Sequence, residues 1–387
     1  MPHSVETDTQ KQEEKQRRMT TEPPEKLICR LAAPTIVSML ITSFYNMADT
    51  FFIAKLENTS ATGAVGVAFS LMAIIQAVGF FFGHGSGNFI SRELGKKNVR
   101  GAEEMAATGF FSSFIAGLFI LLAGMLFLHP LARLLGSTDT ILPFAVEYLR
   151  IILIGAPYMC ASLVLNNQLR FQSNAFFAMI GLTTGGILNL ALDPLLIFGF
   201  DMGVTGAALA TILSQLVSFI LLFIGIQRSD SLKIRFRNYR PNRFYLKNII
   251  NGGTPSLCRQ GLNSVSTIVL NTVAKGYGDA AIAAISIVSR IMMFASSAVI
   301  GFGQGFQPVC GFNYGAHLWQ GQARIPLLRQ IRHHLSRRPR RCRLCRERTD
   351  RRTLSEIRPD RDRDRHLCPP LPVRHLPPLR YGRHVQY

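Results

Sequence analysis

Charge is missing from long stretches of this 387-residue chain. No Asp, Glu, Lys or Arg occurs between Glu57 and Arg92, between Glu104 and Arg133, or between Asp201 and Arg228. Each gap exceeds the roughly 20 residues with which a helix crosses about 30 Å of hydrocarbon. A helix on the surface of a soluble protein keeps a charged face, so these runs exclude that class and imply an integral membrane protein. Cysteine is scarce: the seven lie mainly in apolar spans, as Cys160 and Cys258 do, or in the C-terminal tail, which argues against a disulfide framework. An apolar leader is missing too. Residues 1–26 are polar, charged and broken by Pro23 and Pro24, so we expect no cleavable signal peptide but a disordered cytoplasmic leader.

What is present divides into eight candidate spans, at about 31–54, 62–84, 105–128, 142–165, 175–199, 203–226, 249–274 and 281–304. The fold class expected is therefore all-α and membrane-embedded. Isolated full charges fall in or beside these spans at Asp49, Arg150, Asp193, Arg259 and Arg290, where lipid exposure is costly and a cavity or partner is expected. With the N-terminus in the cytoplasm, 18 Lys and Arg, Arg170 among them, fall on the inside. Only Lys55, Arg133, Arg150 and Lys275 fall outside. The positive-inside rule selects that topology.

A repeat runs through the chain at an offset near 220. Pro34 and Ser43 match Pro255 and Ser264 at 221; Ala61, Ala64, Met72, Gly83, Gly85 and Gly95 match Ala281, Ala284, Met292, Gly303, Gly305 and Gly315 at 220. The register predicts another apolar span after Gly315, equivalent to the one that follows Gly95. From His317 onward there are instead 19 Arg, no Lys and six acidic residues, supplying +13 of the chain's +20.

Three readings of residues 317–387 compete. One is a basic arm for nucleic acid or anionic lipid, which would make the chain a membrane-anchored nucleic-acid-binding protein. Another is a zinc site from Cys342, Cys345, His366 and Cys368. The third is out-of-frame translation of a gene whose correct frame continues with membrane spans. The missing Lys, the lack of interleaved aromatics and the sudden loss of the repeat favour the third. On that reading the net charge implies no nucleic-acid partner and no metal.

Within the spans, Asn189 and Asp193 lie four residues apart on one helix face. Pro194 cannot donate to the carbonyl of residue 190 and should kink the helix. A carboxylate, an amide oxygen and loosened carbonyls suit a proton or a hard monovalent cation. Asp49, near Tyr45 and Asn46, can share that cavity, as can Gln260. The repeat pairs Asp49 with Leu270, so coupling is expected in the first half alone.

The stretches "LAAPTIVSMLITSFYNMADTFFIAKL", "GHGSGNFISRELGKKN", "EYLRIILIGAPYMC", "ILNLALDPLLIFGFDMGVTGAALATILSQ" and "FGQGFQPVCGFNYGA" resemble, in order, the multidrug and toxic compound extrusion (MATE) transporters of the bacterial multidrug export branch. The resemblance covers Leu27 to Ala316. It implies helices in two six-helix lobes, a transporter and not an enzyme, and export of small cationic drugs or toxic metabolites by antiport with H+ or Na+ as the sole cofactor. It places the coupling site at Asp49, Asn189, Asp193 and Thr211 with Tyr148 nearby, in a monomer of the bacterial inner membrane. The expected organisation is an N-lobe over 27–228, a cytoplasmic linker over 229–248, a partial C-lobe of two helices over 249–316, and the tail over 317–387. A chain so cut should not transport. A lipid-linked oligosaccharide flippase of the same superfamily is the alternative, but it calls for several cations along the cavity, and the N-lobe spans hold almost none.

Overall fold

The structure, a computed structural model, describes residues 19, 22–55, 59–228, 232–275 and 279–316. The tail 317–387, with its candidate zinc ligands and basic arm, and most of the leader lie outside the described residues. Among the described residues there is no strand. The helices are α1 (Pro24–Ala54), α2 (Thr59–Gly95), α3 (Val99–Leu126), α4 (Leu128–Leu134), α5 (Leu142–Phe171), α6 (Ala175–Pro194), α7 (Gly203–Gln227), α8 (Arg243–Lys275) and α9 (Asp279–Gly315). Six of them, α1, α2, α3, α5, α6 and α7, are long and apolar enough to cross a membrane. Helix α1 starts at Pro24, inside the stretch expected to be a disordered leader, and Met19 is buried with its sulfur beside the Ser173 hydroxyl, 3.1 Å away.

Local chemistry sets the ends. Between α2 and α3, Lys97 takes a left-handed turn at φ 64, and Asn98 caps α3 by accepting from the Gly101 N–H at 3.1 Å. The Asn98 amide in turn donates to Glu93 at 2.7 Å, so the hairpin is fixed by its own polar residues. Pro143 stands in the first turn of α5, where its missing N–H costs nothing.

Helix α5 is the axle of the N-lobe. Its Leu149, Ile152, Leu153 and Ala156 are fully buried against Ala64, Ala68, Leu71 and Ile75 of α2. Lipid tails are as apolar as these side chains, so fit rather than hydrophobicity joins the helices, and small residues make room for it. Gly79 and Gly83 of α2 face Leu163 and Asn167 of α5, and a Cβ at either glycine would lie 2.7 Å from those side chains; Gly87 faces Phe171 in the same way.

The repeat reappears as geometry. Helices α2 and α9 begin and end 220 residues apart, and α1 and α8 end 221 apart. Packing is crosswise, with α1 on α9 and α2 on α8. Where α2 and α9 end they touch backbone to backbone: a Cβ on Gly95 would strike the Phe312 carbonyl, and one on Gly315 would strike that of Arg92. Those four residues exchange places under the 220-residue offset, so the contact is symmetric.

The second repeat is nevertheless barer than the first. Met72 is 9% exposed and its equivalent Met292 is 58% exposed; Val299, the equivalent of Gly79, is 72% exposed, and Gly303, that of Gly83, faces open space. The inter-lobe segment packs onto the N-lobe. Leu232 and Ile234 are buried with Phe110, Leu222 and Ile226, and the Gln227 amide donates to the Ile234 carbonyl at 2.8 Å.

Candidate functional site

Helix α6 brings an acid into the middle of the N-lobe because one face carries glycine and the next turn carries amide and carboxylate. Gly186 lets Tyr45 of α1 approach, its ring carbon 3.0 Å from where a Cβ would stand. One turn on, Asn189 and Asp193 are buried, and the Asn189 amide donates to Asp193 Oδ1 at 3.3 Å. The expected break at Pro194 takes a definite form. The helix widens into one π turn, Leu195–Gly199, in which the Phe200 N–H reaches back to the Leu195 carbonyl at 3.0 Å.

Three further helices converge on this acid. Asp49 of α1 is 6% exposed, and its carboxyl lies within hydrogen-bonding reach of that of Asp193, which is fully buried. One oxygen of each, Asp49 Oδ1 and Asp193 Oδ2, is buried without a hydrogen-bond partner in the structure. Tyr148 of α5 is buried beside both acids with its hydroxyl in reach of Thr211 on α7. Thr211 donates to the Ala207 carbonyl at 3.0 Å, which leaves its oxygen lone pairs available.

Asp49, Asn189, Asp193, Thr211 and Tyr148 are thus brought together, with Tyr45 at the edge. Asn46 and Gln260 are half-buried on α1 and α8. Two carboxyl groups in contact cannot both stay charged without a proton or cation between them, and orphaned buried oxygens are the places such a species would occupy. The surrounding donors are oxygen ligands, which suit a proton or a hard cation rather than a soft metal. Among the described residues no group of three or more His, Cys, Asp or Glu is placed to hold a metal ion.

Arg170, counted on the cytoplasmic side in the sequence, is 4% exposed at the end of α5. Its guanidinium donates to Asn167 Oδ1 at 2.6 Å and to Gln304 Oε1 of α9. A single cation at a helix end gives no hint of which face it occupies, and the packing of α9 against the N-lobe decides it. Arg150 and Arg259 are exposed on the helix surface, and the side chain of Arg290 lies outside the described residues.

Comparison with known proteins bears on this arrangement. Residues 34–195 and 255–325 match the model of the MatE family. The multidrug export protein MepA of Staphylococcus aureus (strain MRSA252) is 28% identical over 293 residues, and that of Staphylococcus saprophyticus is 29% identical over 292. The alignments take in 76% and 75% of this chain but 65% and 64% of those relatives, so the chain spans somewhat less than two thirds of their length. Among solved structures, an outward-facing conformation of a multidrug resistance MATE family transporter superposes with a TM-score of 0.72 at 30% identity. It covers 77% of this chain and 67% of its own.

Proposed function

The chain belongs to the MatE family, and from that premise we propose that it is the drug- and ion-binding part of an exporter that moves small organic cations out of the cell in exchange for H+ or Na+. The observation that carries this reading is the contact between the carboxyl groups of Asp49 and Asp193 inside the N-lobe. Either acid can hold a proton, and together they can hold a monovalent cation. An organic cation drawn to the same negative charge competes with both. Binding of the coupling ion therefore weakens the hold on the drug, and the differential affinity drives alternation between the two faces.

The supporting groups have distinct tasks. Asn189 fixes the Asp193 carboxyl by its hydrogen bond, Tyr148 and Thr211 add hydroxyl oxygens, and the π turn after Pro194 gives α6 a point at which it can bend. Orientation with the N-terminus in the cytoplasm of a bacterial inner membrane is supported by the distribution of Lys and Arg. The names of the relatives support multidrug export as the activity. We read the unit as a monomer.

A binding measurement on the purified chain in nanodiscs tests the proposal. Ethidium anisotropy should report binding that weakens when pH falls from 8 to 5 or when sodium is added. Asp193→Asn, which leaves Asp49 as the one remaining acid, should fold and bind with that sensitivity reduced. Wild-type binding indifferent to both protons and sodium would sink the coupling role.

A further inference from the structure

Away from the carboxyl pair, at the end of α5, a buried cation bridges the two repeats. Arg170 is always charged, yet among the described residues its guanidinium forms no ion pair with a carboxylate. Its hydrogen-bond acceptors are amides, Asn167 of its own helix and Gln304 of α9. Asn167 is itself held by its amide donating to the Leu163 carbonyl at 2.7 Å. Also buried is His84, its ring nitrogen 3.1 Å from the Phe80 carbonyl and its ring edge-on to Phe171, the residue next to Arg170. His84 and Gln304 are equivalent positions at the 220-residue offset. Of these two repeat-related groups, the cation bonds across the lobes to Gln304.

We propose that Arg170 and Gln304 form a latch that holds the two lobes closed at this end, and that its weakness is its function. This rests on the alternating exporter proposed above. A guanidinium bound to a carboxylate would be held firmly, and removing either partner of such a pair is strongly destabilising. Bound to amides, the cation stays desolvated without full compensation. Parting the lobes lets water replace the Gln304 oxygen, so closed and open states lie close in free energy. Arg170 is on this account a positioning residue, acting through the lobe contact and not through drug or ion.

Spin labels at Arg228, exposed at the end of α7, and Tyr314, exposed near the end of α9, report the separation of the lobes in the full chain in nanodiscs. Q304A should raise the population of a longer inter-label distance by about tenfold, the order expected for losing a hydrogen bond to a charged group. R170K should do the same, because an ammonium lacks the planar fork that meets both amides. Q304E should shrink that population, and since it supplies a counter-charge it remains informative if Q304A fails to fold. Unchanged distance distributions in Q304E and R170K, with only the melting temperature moved, would overturn the latch. The labels need no drug, so ethidium binding that ignores pH would defeat the proposed function and leave this measurement standing.

Discussion

The carboxyl of Asp193 on α6 meets that of Asp49 on α1 inside the N-lobe, and each keeps one buried oxygen without a hydrogen-bond partner. Charge in this pair is shared, so its two protonation steps belong to the pair and not to either residue.

Asp49→Asn should therefore make proton competition shallower rather than abolish it. With one acid left, the slope of log Kd for ethidium against pH should fall from a value approaching two towards one. A slope unchanged by the substitution would mean that Asp49 is a bystander. Titrating ethidium into wild type and variant across pH 5 to 8 gives the comparison.

A second prediction concerns the inter-lobe segment. The Tyr245 hydroxyl donates to Glu104 Oε2 at 2.7 Å, and Arg100 and Arg240 approach the other oxygen at 3.2 and 3.5 Å. Burial, and then the bond to the Glu104 carboxylate, push the Tyr245 hydroxyl up from 10.0 to about 12. The folded state thus keeps a proton that the unfolded chain releases near pH 10. Stability from this group is complete below about pH 10 and is lost as pH rises towards 12. Tyr245→Phe should cost about 1–2 kcal/mol at neutral pH through loss of a hydrogen bond to a charged acceptor. The gap from wild type should narrow above pH 10 in thermal melts; a constant gap would contradict the assignment.

The meeting of α2 and α9 tolerates no side chain. Gly315→Val should force the Arg92 backbone away and destabilise the described unit by about 1–3 kcal/mol, as overpacking does. Gly303→Val, whose added Cβ would meet nothing within 4 Å, is the control and should melt like wild type. Scanning fluorimetry on the two variants separates them.

How much of this was legible beforehand depends on the residue. Acids in apolar runs are conspicuous, so Asp49 and Asp193 could be singled out, and Pro194 marked the break in α6. The π turn that follows Pro194 could not be foreseen, because a proline says where a ladder opens but not how the next carbonyls find donors. Tyr148 entered through family resemblance, and its burial against Thr211 needed the fold. The burial of Arg170 against α9 is not legible in the sequence, because a lone cation at a helix end shows its partner only once the opposing helix is in place. Gln304 carries a signal in the sequence: it is the repeat partner of His84.

Expression of the 387-residue chain in cells that lack other exporters provides a fourth test. Ethidium accumulation should match that of cells without it, because the described part of the second repeat offers only α8 and α9 to face six N-lobe spans. Strong efflux from this chain alone would refute the expectation.

The bare side of α9 has a shape that specifies what would fit it. On α2, the glycines at 79, 83 and 87 receive Leu163, Asn167 and Phe171, one knob per turn. The matching sites on α9 are Val299, Gly303 and Gln307, so the surface is a mould with a single deep notch between two raised steps. A helix cast in it would carry its largest side chain opposite Gly303 and small ones a turn to either side, the reverse of a copy of α5. The two halves of the repeat thus share a backbone plan but demand differently cut partners.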